Sequence, residues 1–328
     1  MFLALRDILH ARGRFALIAA VVGLITLLVV MLTGLTGGLG KQNTSALEAL
    51  DPAAVVLTED TFTASRVTET DLADWGPGAV PLGTGQTTLT DGSETAAVAV
   101  LGLPAGHKVP GGGVIPAEGV LVPAGMSVSP TVTLGGVEVD VVGRAETEYY
   151  SHSPVVWAAT DTWVASAHVA PGTLGTAILL DREADGAMSL SESFSALPAY
   201  RSEQGSLQMM QGFLYAISAL VTISFLTVWT IQRTRDLAVL RALGASPRYL
   251  LRDCLGQAVI VLLTGAGLGA LAGWGLGVLA SRAVPFLIDP ATVLLPAVGV
   301  IALGLLGALA ATRRVTRINP LSALGAAA

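Results

Sequence analysis

Four long, strongly apolar stretches of this chain carry no Asp, Glu, Lys or Arg: residues 15–39, 207–231, 255–281 and 293–311. A helix needs about 20 apolar residues to cross the hydrocarbon core of a bilayer, so each stretch reads as a transmembrane helix, the fourth barely long enough. With 52% hydrophobic and 13% charged residues, the chain lies far from the balance of a soluble domain, and a purely soluble or disordered protein is excluded. The first stretch follows Arg6, Arg12 and Arg14, as in a signal peptide. It is longer than an h-region and lacks a convincing small-residue cleavage site, so it is expected to stay as an anchor. A lone cysteine, Cys254, rules out an intrachain disulfide.

Charge sets the expected orientation. Residues 1–14, 232–254 and 312–328 together hold eleven Arg or Lys against three acids, whereas residues 40–206 hold six bases against twenty acids. By the positive-inside rule the first three segments face the cytoplasm, both termini are inside, and residues 40–206 are extracytoplasmic. Residues 1–14 carry Phe2, Leu3, Leu5, Ile8 and Leu9 on one helical face and Arg6, Asp7, His10 and Arg14 toward the other, the pattern of an interfacial amphipathic helix.

Short apolar or alternating stretches within residues 40–206, such as Val98 to Leu101, Val132 to Leu134, Val137 to Val142 and Ala177 to Leu180, are separated by Gly and Pro clusters and read as strands. Asp71 and Asp161 stand where a cap would open a short helix. Residues 41–50 suit a continuation of the first helix as a stalk. The expected fold is therefore an α-helical integral membrane protein, with four transmembrane helices, an N-terminal amphipathic helix, and a mixed α+β extracytoplasmic domain between helices 1 and 2. Its divisions are 1–14, 15–39, 40–206, 207–231, a cytoplasmic loop at 232–254, 255–281, 293–311 and a tail at 312–328.

Gly265, Gly269, Gly273 and Gly277 recur every fourth residue in the third span, and Gly267 and Gly275 add a second small face. Such a stripe lets another helix approach closely, either within the chain or in a second subunit. The GxGxxA run at Gly275, Gly277 and Ala280 follows no strand and carries no dinucleotide signal. Gly40-Lys41 lacks the rest of a Walker motif, so the chain has no ATPase motif of its own. The acid pairs Glu146 with Glu148 and Glu59 with Asp60 read as solubilising, because nothing supplies a nucleophile or a metal cluster. The four histidines, His10, His107, His152 and His168, share no metal-ligand spacing. Nucleic acid is not an expected partner.

In the loop after the second span, Leu237, Leu240 and Leu243 line a helix that ends at Gly244, before Ser246-Pro247 begins another. A short helix offered to the cytoplasm wants a partner, unless the loop's arginines simply rest on anionic headgroups. The run Arg235-Asp236-Leu237-Ala238-Val239-Leu240-Arg241-Ala242-Leu243-Gly244-Ala245-Ser246 resembles the signature of FtsX-like permeases, the membrane subunits of MacB-type ABC exporters. The tail from Arg313 through Pro320 to Leu324 resembles the family's closing motif. The order of parts agrees along the whole chain. The resemblance implies a bacterial plasma-membrane permease that works as a homodimer with two copies of a cytoplasmic ABC ATPase, which alone binds ATP. It also implies a coupling helix, placing the ATPase contact at Leu240, Arg241, Ala242, Leu243, Gly244 and Ala245.

Residues 11–17 with Leu32-Thr33-Gly34-Leu35, and the run from Tyr150 to Trp157, resemble the DevC-like and haem-exporting HrtB branch of that family. The branch implies no intrinsic cofactor and haem as the transported ligand. Haem is flat, apolar and anionic at one edge, so a groove between spans with one or two axial donors suits it. Met31 offers a thioether and Glu59 a carboxylate. Tyr150 and His152 are weaker candidates, as is Tyr149, and Met209 with Met210 stand at the outer start of the second span. Another amphipathic cargo, whether drug, peptide or lipid, is the first alternative. The second is a non-transporting FtsX-like signalling protein that recruits a cell-wall hydrolase.

Overall fold

The structure, a computed structural model, describes residues 12–232, 244 and 246–315. Nearly all of the expected interfacial helix, the ATPase-contact residues Leu240, Arg241, Ala242, Leu243 and Ala245, and the tail beyond residue 315 lie outside the described residues. In chain order the elements are α1 (Arg12–Leu50), β1 (Ala54–Val56), α2 (Glu69–Trp75), β2 (Val80–Asp91), β3 (Glu94–Leu103), β4 (Val120–Pro123), β5 (Thr131–Leu134), β6 (Val137–Ala145), β7 (Tyr149–Tyr150), β8 (Ser153–Ala159), α3 (Thr160–Ser166), β9 (Ala177–Leu180), α4 (Leu190–Ser193), α5 (Pro198–Gln232), α6 (Pro247–Ala280) and α7 (Pro290–Val315). They form two compact units, Met1–Gly38 with Ser206–Ala328, and Leu39–Gly205.

The first, membrane unit holds helices long and apolar enough to cross a bilayer, at Phe15–Leu50, Pro198–Phe225, Leu251–Ala280 and Pro290–Ala310. Each overlaps one of the uncharged runs. Helix α6 starts where its sequence dictates: Ser246 is the N-cap, its Oγ accepting from the Tyr249 N–H, and Pro247 occupies the first turn, where no backbone donor is needed. The core joins Phe15, Ile18 and Val22 of α1 with Val261, Leu262 and Ala266 of α6 and Val300 of α7. Five threonine hydroxyls in these helices are satisfied locally. Thr26, Thr33, Thr36, Thr222 and Thr227 each donate to the carbonyl four residues earlier, at 2.7–2.9 Å, which removes a donor that hydrocarbon would leave unpaired.

The second, sheet unit is mixed α/β. Its strand order is β1-β9-β2-β3-β8-β4-β6-β5, and β2 pairs β5 as well, so six strands from β2 round to β5 close into a ring. Alternation along the strands divides the core in two. Val98 and Val100 of β3 and Val156 and Ala158 of β8 join one cluster around Trp163. Their neighbours Ala99, Leu101, Leu103, Val155, Trp157 and Ala159 face the other way and pack with Ala46, Leu47, Phe62 and Leu197.

The two expected helix caps are corrected here. Helix α2 is capped by Thr68, and Asp71 stands at the third helical position, where its carboxylate accepts from the Thr68 N–H and hydroxyl at 2.8 and 2.7 Å. That reciprocal capping box holds the Asp71 carboxyl below its ordinary pKa. Helix α3 has Ala159 at its cap, with no side-chain hydrogen bond, and Asp161 falls inside its first turn. In both cases the acid favours the positive end of the helix without being the cap.

Candidate functional site

The glycine stripe of α6 faces α1 inside the chain. A β-carbon at Gly265 would lie 2.7 Å from the Ala19 carbonyl oxygen, one at Gly269 would collide with the Gly23 carbonyl, and one at Gly273 would lie 2.8 Å from a Val30 methyl. Backbones this close gain dispersion contacts that no larger residue permits. Gly277 faces the Phe286 ring instead, while Gly267 and Gly275 meet nothing within 4 Å. On α1, Gly34, Gly37 and Gly38 leave room for the Pro285-Phe286-Leu287 connection, and the Leu287 N–H donates to the Gly34 carbonyl at 2.9 Å.

Another seam joins α1 to α5. Gln211 donates its amide to the hydroxyls of Thr36 and Thr33, at 3.3 and 3.5 Å. Both hydroxyls give their own hydrogens to α1 carbonyls, so each presents a lone pair to the glutamine. Sequence reasoning missed Gln211. The signal was an amide inside an uncharged run, which must face protein or pay heavily in lipid.

Met31 lies on a different face of α1 from these seams. Leu17, Leu24 and Leu28 are 65%, 59% and 44% exposed, and Met31 and Leu35 continue their spacing as half-buried residues. This apolar stripe is open to lipid, cargo or another helix, and the Met31 thioether is the one soft ligand on it. Helix α5 likewise exposes Met209, Met210, Phe213, Ile217 and Leu220. A groove of about 400 Å³ runs between α6 and α7, lined by Leu271, Trp274, Leu294 and Val298 among others.

The remaining candidates belong to the sheet unit. Glu59 is exposed in the loop after β1, where its backbone is pinned to the Ser65 hydroxyl at 3.0 Å. Tyr150 is buried, donates to Thr84 Oγ1 at 3.1 Å and meets the Phe62 ring edge-on at 6.2 Å. Burial pushes its phenol far above the ordinary range, and its position is that of a core residue. The Tyr149 backbone N–H donates to the Ser45 hydroxyl oxygen at 2.8 Å. His152 is half-buried, with Nε2 2.7 Å from Glu203 Oε1 and 3.1 Å from Asn43 Nδ2. Asn43 and Glu203 are further residues that sequence reasoning missed, because their partners are more than 50 and 100 positions away. No group of three His, Cys, Asp or Glu placed to hold a metal ion occurs among the described residues.

Residues 209–320 match the family model described as FtsX-like permease C-terminal. A permease from Staphylococcus epidermidis that bears the name HrtB of a hemin transport system is 24% identical, the alignment covering 99% of each chain. A Staphylococcus haemolyticus protein of the same name is 30% identical over 129 residues, 39% of this chain and 37% of its own. An uncharacterised ABC transporter permease of Mycobacterium tuberculosis is 24% identical across 99% of both chains.

Proposed function

We propose that this chain, an FtsX-like permease, is the membrane subunit of a MacB-type ABC exporter of the HrtB type, with haem as its cargo. The observation that carries the reading is the likeness to a permease named for hemin transport along 99% of both chains, so that the sheet unit and all four helices take part in the match. In this reading two copies of the chain pair with two copies of a separate ABC ATPase. The loop at Leu240, Arg241, Ala242, Leu243, Gly244 and Ala245 meets that ATPase, both termini are cytoplasmic, and residues 40–206 are outside. The ATPase converts nucleotide binding into a bias between two arrangements of the helices.

The cargo part of the proposal rests on chemistry. Haem drawn from a membrane suits an apolar face with one or two axial donors. Met31 supplies a thioether on the open stripe of α1, beside Leu24 and Leu28. Glu59 supplies an exposed carboxylate. The test is an absorbance titration of haemin into the detergent-purified chain and its Met31→Ala and Glu59→Ala variants. A saturable Soret shift that is altered in either variant supports haem as cargo. Absence of a saturable shift removes haem and leaves another amphipathic cargo for the same permease.

A further inference from the structure

The turn between β7 and β8 is made of residues that the turn itself disfavours. Tyr150 pairs with Ser153 across it, and Ser151 and His152 both have positive φ, 47° and 65°. A two-residue hairpin loop of this kind takes Asn-Gly most readily, because a β-carbon crowds the backbone in the left-handed region. Non-glycine residues held there point to what their side chains do.

The His152 side chain reaches two helices. Its Nε2 lies 2.7 Å from Glu203 Oε1 on α5. The other carboxylate oxygen accepts from Asn43 Nδ2 on α1 at 3.1 Å, and the same amide donates to the Leu39 carbonyl at 3.2 Å. With both amide hydrogens placed in this way, the Nε2 proton goes to Glu203. On the other side of the ring, Nδ1 is 3.4 Å from Gln42 Oε1. The turn's backbone adds two bonds, from the His152 N–H to the Gln42 carbonyl at 2.9 Å and from the Ser151 N–H to the Asn43 carbonyl at 3.2 Å. Asn43 is fully buried, so truncating this set would leave a polar group without solvent to replace its partners.

We infer that Asn43, His152 and Glu203 form a clasp that holds the helix entering the sheet unit and the helix leaving it at a set spacing against the β7–β8 hairpin. These are positioning residues: Asn43 and Glu203, 160 positions apart, bond directly to each other, and the hairpin imidazole is tied to the pair through Glu203. Its purpose in a transport cycle, to pass a change of helix spacing to the sheet, rests on the permease reading above, but its existence does not.

The test is hydrogen–deuterium exchange on the full chain in detergent, comparing wild type with Ser151→Asn/His152→Gly and with Glu203→Gln. The first variant gives the turn its preferred residues, so the β7–β8 amides exchange no faster and the global melting temperature is held or raised. In both variants the amides of residues 198–205 exchange about tenfold faster, the signature of a lost local restraint and not of global unfolding. Unchanged exchange at 198–205 in either variant overturns the clasp, since it needs both partners. A failed haemin titration would leave these rates untouched, so the two readings fail separately.

Discussion

In the membrane unit, helices α1 and α6 approach each other at residues with no side chain, whereas in the sheet unit the valines of the ring pack around one of the largest side chains. Gly269 meets the Gly23 carbonyl across the α1–α6 seam. Trp163, fully buried, lies over Gly83 and Gly102 with the valines of the ring around it. Glycine therefore serves opposite ends in the two places. Between helices in lipid, apolar side chains gain nothing by leaving an apolar solvent, so stability comes from backbone approach and interhelical hydrogen bonds. In water, burying indole area is itself the driving force, and the sheet glycines only make room for it.

Three substitutions probe that contrast. Trp163→Ala should have the largest effect, about 3–5 kcal/mol, because the strands of a closed ring cannot collapse into the space. Thermal unfolding of the purified chain measures it, and a loss below about 1 kcal/mol would show that the ring relaxes around the void. Gly269→Leu should cost less, about 1–3 kcal/mol from overpacking, while Gly267→Leu, two residues along α6 on an open face, should be close to neutral. Equal losses in detergent melts of the two variants would break the claim that only the α1-facing stripe matters.

The smallest effect belongs to the capping boxes. Hydrogen bonds from Thr68 hold the Asp71 carboxyl below its ordinary value, and those from Ser189 do the same for Glu192. A lowered folded pKa means that the stabilisation is complete above the unfolded value, about 4 for these acids. It is lost as pH falls through the folded value. Asp71→Asn should therefore show a slightly shallower fall in melting temperature between about pH 6 and pH 3 than wild type. An identical slope would mean that the box contributes nothing in the intact chain.

Much of the membrane unit was legible as sequence because its rule is local: an uncharged run that is apolar throughout and of sufficient length becomes a helix able to span. The glycine stripe on α6 was equally plain, although its partner was not. Val98 to Leu101 and Ala177 to Leu180 stood out as strands through their apolar runs, and both are found in β3 and β9. Gln211, Asn43 and Glu203 carried no such mark. A polar residue in an apolar helix, or one acid among twenty, gains its meaning only from what stands opposite.

Chain chemistry alone thus determined that this protein divides between lipid and water, where its long helices lie, and that residues 235–246 and 313–324 resemble FtsX-like permeases. Hydropathy and glycine spacing act over one or two helical turns, so they survive in a linear reading. Tertiary structure alone decided that β2 and β5 close the ring, that Thr68 and not Asp71 caps α2, and that the glycines of α6 face Ala19, Gly23 and Val30. It also decided that His152 answers to Glu203, and Glu203 to Asn43. Each of these depends on which groups meet across long stretches of chain, and loop closure is nearly indifferent to the residues in between.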